Sequence, residues 1–186
     1  MARRRGPLSS LAVAAGALLA LSGCGHSHPL HADTEGIYLE LGSLRYQVEI
    51  SRQLNPQDTE DSAYLSGLTP AQARLLPNQA WYGVWILVEN RSGATQTPTT
   101  DFTVFDTQHN VYTPTFPNAT NVLAYHSVPI PGHGQIPDLG SPAYNSPTQG
   151  VLLLFKINLA SYENRPLDFA ITVPSLGQTA TTDLDV

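Results

Sequence analysis

An all-β sandwich is the fold class this chain predicts, and three observations point to it. Charged residues make up only 13% of the 186 positions, whereas 15 Pro, 14 Gly and 8 Tyr suit many short strands joined by tight turns rather than long charged helices. Apolar segments with a period of two, separated by turn-forming clusters, outnumber segments with a helical period. The length allows one domain plus tails, with enough chain for a sizeable core.

Before the folded body comes an export signal. Arg3, Arg4 and Arg5 form a basic head, and Leu8 to Leu21 is an apolar run of 14 residues, shorter than the roughly 20 that span a bilayer. It ends in Leu21-Ser22-Gly23-Cys24, which is similar to a bacterial lipobox: small side chains admit the peptidase, and the thiol takes the diacylglycerol. Cys24 is the chain's one cysteine, so disulfides and CxxC chemistry are excluded. Residues 1–23 are therefore expected as the signal peptide. Two acyl chains, at about 0.8 kcal/mol per buried CH₂, make a stable anchor where one would be marginal. Cleavage removes the three arginines and takes the formal charge from −6 to −9. An acidic body of that sign excludes a nucleic-acid surface and leaves membrane attachment to the lipid.

Residues 24–36 read as the lipidated cysteine and a flexible tether, with the domain occupying 37–186. Within the domain, Tyr46, Val48 and Ile50 alternate with polar residues and predict a half-buried strand. Asn55 to Leu68 reads as a polar, acidic loop. Thr69-Pro70-Ala71-Gln72 then has the form of a capping box with proline at the first helical position, so one short helix is expected to about Leu76. Trp81 to Glu89 is apolar on both faces and predicts a central strand. Asp101–Asp106 and Asn110–Tyr112 predict a hairpin across Thr107-Gln108-His109, with Asn110 in the left-handed conformation. Val151–Ile157 reads as a buried strand, and the alternation of Leu167, Phe169, Ile171 and Val173 as the last. Between them residues 113–149 form a 37-residue Pro/Gly-rich connection with seven prolines. Loops of that length in a compact domain are usually functional or disordered, and Tyr125, His126, His133 and Tyr144 make it the expected binding loop.

The stretch from Trp81 to Ile171 resembles the immunoglobulin-like domain of small bacterial lipoproteins of the DUF4352 kind. The residues that carry the likeness are Val88-Glu89-Asn90, Asp101-Phe102-Thr103-Val104-Phe105-Asp106 with Asn110-Val111-Tyr112, and Gln149-Gly150-Val151-Leu152-Leu153-Leu154-Phe155. Arg45-Tyr46-Gln47-Val48 followed by Ser51-Arg52-Gln53-Leu54-Asn55-Pro56 looks like an actinobacterial subgroup. The resemblance implies an immunoglobulin-like antiparallel β-sandwich at the envelope, and no catalytic residue. The long insertion before Val151 departs from it, as does the missing cysteine pair, whose place packing around Trp81 or Trp85 is expected to take.

Candidate chemistry concentrates in the histidines. His26, His28 and His31 can ligate Cu²⁺, Zn²⁺ or Ni²⁺ through neutral imidazole. The cleaved terminus Cys24-Gly25-His26 adds an amine, two amides and an imidazole, a square-planar set that requires an unacylated amine. The alternative for the tract is a solvated spacer. The one Met is Met1, so the mature body offers no soft ligand for Cu(I). His109, His126 and His133 with Asp138 make a second, less constrained set, against ordinary loop histidines. Asp58, Glu60 and Asp61 lack the calcium-loop pattern and are expected as a solvated acidic loop. No GxSxG, HExxH or phosphate loop occurs, and Ser127 beside His126 is no dyad because neighbours on an extended chain point apart. The sequence thus predicts a membrane-anchored, non-catalytic module that meets another envelope protein, with metal binding through the histidine tract as the alternative.

Overall fold

The computed structural model describes residues 30–185. The signal peptide, Cys24, His26 and His28 lie outside the described residues. Among the described residues, ten strands make two sheets packed face to face, the expected antiparallel, immunoglobulin-like sandwich. One sheet holds β1 (His31–Ala32), β10 (Gln178–Leu184), β9 (Leu167–Val173), β5 (Asp101–Phe105) and β6 (Val111–Tyr112), in that order. The other runs β2 (Tyr38–Leu41), β3 (Leu44–Leu54), β4 (Gln79–Asn90), after which β8 (Val151–Asn158) and β7 (Gln135–Ile136) share the far edge of β4. Among these strands every pairing is antiparallel except β1 on β10.

The apolar pattern of β4 explains its central place. Tyr82, Val84, Ile86 and Val88 face the other sheet, while Trp81 and Trp85 point outward. Between the sheets the aromatic core is built from Tyr46, Tyr82, Phe102, Tyr125, Phe155 and Phe169, with Phe102 and Phe169 stacked at 5.7 Å. The tryptophans therefore do not replace an inter-sheet cross-link. They fill a second cluster with Leu54, Leu152 and Leu154, roofed by α1 (Thr59–Tyr64), whose Tyr64 meets Trp85 edge-on at 5.1 Å. Gly83 makes room for this layer, since a Cβ there would lie 2.7 Å from the Trp85 ring.

Several local expectations are corrected. The body begins at β1, inside the segment expected as tether, because His31 and Ala32 pair with Thr181 and Thr182. A bulge between Val48 and Ile50 breaks the alternation of β3, leaving Ile50 37% exposed and turning Ser51 inward to the Tyr82 hydroxyl at 2.6 Å. The acidic stretch holds α1, capped by Asp58, and Asp61 is buried against Arg52 at 2.6 Å and the N–H of Asn55 at 2.7 Å. The capping box forms as expected, but α2 (Pro70–Ala73) stops short of Leu76. His109, not Asn110, takes the left-handed turn position, at φ 62°. A further strand, β10, follows the one expected as last.

Candidate metal centre

The β9–β10 hairpin turns through a 3₁₀ segment, Pro174–Leu176, closed by Gly177 at φ 61°, a left-handed conformation that glycine adopts without a Cβ clash. Its register places Asp183 directly opposite Asp168 and Thr181 opposite Ala170. Ala180, Thr182 and Leu184 are buried, so Thr181 and Asp183 project from the outer face with Asp168. β1 then lays His31 alongside Thr181 on that face.

A ring nitrogen of His31 and one oxygen each of Asp168 and Asp183 lie within 4.8 Å of one another. His31 Nδ1 and Thr181 Oγ1 are 2.8 Å apart, which orients the ring, while Nε2 stands 3.1 Å from Asp33 Oδ1 and 3.9 Å from Asp183 Oδ1. Partial burial pushes the Asp168 carboxyl up to about 6, and the hydrogen bond and like charge of Asp183 push it the same way. A depression of about 400 Å³ beside the group is lined by Asp33, Arg165, Asp183 and Asp185. One imidazole and two facing carboxylates are a nitrogen–oxygen donor set of the kind that takes a borderline divalent cation.

The loop residues are not brought to one surface. Tyr125 is buried in the inter-sheet core, its hydroxyl donating to the Thr99 carbonyl at 2.5 Å and its ring edge-on to Phe102 at 5.2 Å. Burial drives its phenol well above the ordinary tyrosine value. His126 Nε2 donates to the Asn121 carbonyl at 3.1 Å and lines a cleft of about 200 Å³ with Asp138, Val122, Val128 and Ala143. His133, at φ 60°, donates its backbone N–H to Ser92 and lines a separate depression with Glu89 and Arg91. Tyr144 is on the surface, and His109 belongs to the β5–β6 turn. The 113–149 connection is a packed layer, with β7 on β4, Thr115 bridging to Leu154 and Ala124 bridging to Leu152.

Of the histidine tract, only His31 falls among the described residues. Its partners Asp168 and Asp183 escaped the sequence reading. Asp168 is legible as an outward position of an alternating strand; Asp183 is not, because nothing local marks Gln178–Leu184 as that strand's neighbour. The signal was there in the period-two placement of Ala180, Thr182 and Leu184.

No family model and no curated relative matches the chain. Among solved structures it is similar to a Listeria monocytogenes protein of unknown function, at 10% identity and a TM-score of 0.52, over 82% of this chain and 83% of that one. It also matches the Bacillus subtilis protein ycdA, whose assignment as a lipoprotein is itself provisional, at 10% identity and a TM-score of 0.48, over 78% of this chain but only 38% of that one. The Listeria likeness is one of fold. No helix among the described residues is long and apolar enough to cross a membrane.

Proposed function

We propose that this chain is a lipid-anchored, extracytoplasmic module of the cell envelope, a non-catalytic β-sandwich of the DUF4352 kind that presents its surface to another envelope protein. The observation that carries the reading is Leu21-Ser22-Gly23-Cys24 behind a basic head and an apolar run, with the chain's one cysteine at the acylation position. The fold adds a distance. Since the body starts at His31 rather than Ile37, the seven residues from Cys24 span at most about 25 Å even fully extended. An anchored sandwich is thus held close to the headgroups, where a partner must also reach. Exposed Val122 and Val128 line the His126 cleft and supply the apolar surface for such contact.

The test is acylation. Cells fed a labelled fatty acid are expected to yield a labelled protein in the membrane fraction, and Cys24→Ala an unlabelled one released from it. An unmodified Cys24 thiol, or a Cys24→Ala chain that stays with the membrane, overturns the reading.

A further inference from the structure

The outer face of the β1–β10–β9–β5–β6 sheet gathers side chains that neither the core nor the anchor uses. We propose that His31, Asp168 and Asp183 bind one divalent first-row metal ion, Zn²⁺ fitting best, and that the ion clamps the anchored end of the chain onto the sandwich.

The geometry comes first. Three donors arrive on three strands whose order and register are set by the sheet, so the site does not have to be assembled from a flexible segment. Their mutual distances of 4.8 Å or less need only side-chain rotation to close to the roughly 3.3 Å between ligand atoms that metal bonds of about 2.0–2.1 Å produce in a tetrahedron. The side chains of His31 and Asp183 are 52% and 27% exposed, which leaves an entry path and room for water in the remaining position. Asp33, on the segment following β1, has its Oδ1 3.1 Å from the same Nε2 and a 94% exposed side chain that can turn to supply a fourth oxygen.

The chemistry selects the ion. An imidazole among carboxylates favours Zn²⁺ over Ca²⁺ or Mg²⁺, which prefer all-oxygen shells, and a set without sulfur does not hold Cu(I). Thr181 supplies the outer support: with Nδ1–H donating to Oγ1, Nε2 carries the lone pair a metal needs. The occupied site also neutralises two carboxylates that otherwise face each other across β9 and β10.

Position gives the consequence. β1 is two residues long, paired on one side only, and His31 lies seven residues after Cys24. An ion shared by β1, β9 and β10 therefore fixes where the chain leaves the sandwich. The site does not rest on the acylation reading: the donors are the same whether or not Cys24 carries lipid.

The experiment uses the full chain in detergent, free of any affinity tag, titrated with Zn²⁺ against a chromophoric chelator. One equivalent is expected to bind, with affinity reduced roughly tenfold or more in His31→Gln and in Asp183→Asn. Zn²⁺ should raise the thermal midpoint of the parent chain but not of Asp183→Asn, and Ca²⁺ should not reproduce the rise. Asp183→Asn keeps the side-chain shape, and its far-UV spectrum without metal controls for folding. A His26→Gln, His28→Gln double variant should bind as the parent does. Absence of Zn²⁺ binding, unchanged affinity in Asp183→Asn, or loss confined to the double variant overturns the proposal. The last result would place the ion on the N-terminal tract instead.

Discussion

Two carboxylates stand almost side by side at the β5–β9 edge of the β1–β10–β9–β5–β6 sheet and live under opposite conditions. Asp168 pairs in register with Phe105, and Asp106 is the next residue along. Asp106 points inward and is buried, yet five neutral donors meet it: the N–H groups of Gln108 and Asn110, the amides of Asn110 and Asn164, and the Ser161 hydroxyl at 2.7 Å. Burial alone would push its carboxyl up; the hydrogen bonds from Asn110, Ser161 and Asn164 outweigh it and hold the group far below the usual carboxylate range. Asp168 points outward, is only half-buried, and faces a second carboxylate, so its carboxyl is shifted the other way. Burial therefore does not decide which carboxylate is a structural staple and which a candidate ligand. The donors around it decide, and a carboxylate already filled with N–H and O–H donors has no lone pair left for a metal.

The largest effect is expected at Asp106. Asp106→Ala removes the acceptor that ties the β5–β6 turn to the Leu159–Glu163 segment and strands several donors, so a loss of about 3 kcal/mol in unfolding free energy is expected by denaturant titration. A loss under about 1 kcal/mol would mean that the donors find other partners. The pH dependence has a definite sign. On acidification the unfolded chain takes up the Asp106 proton first, so stability rises with pH in that window. The Asp106 contribution is fully present above about pH 4 and is lost as pH falls toward the depressed folded value. Asp106→Asn should flatten that part of the acid profile.

A smaller effect is expected one hydrogen bond away. Ser161 donates to Asp106 and lies 2.6 Å from the Tyr112 hydroxyl, linking the turn segment to β6. Ser161→Ala should lower stability by about 1.5 kcal/mol, since Asp106 keeps its other donors. A loss as large as that of Asp106→Ala would show that the network acts as one unit and that the donors do not contribute separately.

How far the sequence discloses this arrangement follows from where each residue's partners lie. β4 is legible because a strand covered on both faces must be apolar on both, and Trp81–Glu89 is. The capping box at Thr69 is legible because its partners are three residues apart. The bulge in β3 is not, because the buried Ser51 depends on Tyr82 in the next strand. β10 hides behind its threonines, which stand on both faces, Thr179 and Thr181 outward and Thr182 inward, and leave little apolar contrast. The 113–149 connection reads as surface from its prolines, although Tyr125, Ile130 and Ile136 are buried and the segment covers sheet edges and core. His31 could be marked as a ligand from its type alone. Its partners lie more than 130 residues away, and only the pairing of β1, β10 and β9 reveals them.

The smallest effect is expected at Asp168. If Asp168 differs from Asp106 because it faces a carboxylate where Asp106 meets N–H and O–H donors, removing its charge should not weaken the metal-free fold. Two carboxylates directly opposite on neighbouring strands repel, and Asp168→Asn replaces one with an amide that can donate to Asp183. Chemical denaturation at neutral pH in the presence of a chelator should therefore show a gain of about 0.5 kcal/mol, within the range of a single cross-strand pair. A clear loss would show instead that Asp168 already serves the sheet as Asp106 does, through donors that satisfy it without an ion, and the contrast between the two carboxylates would reduce to a difference in burial.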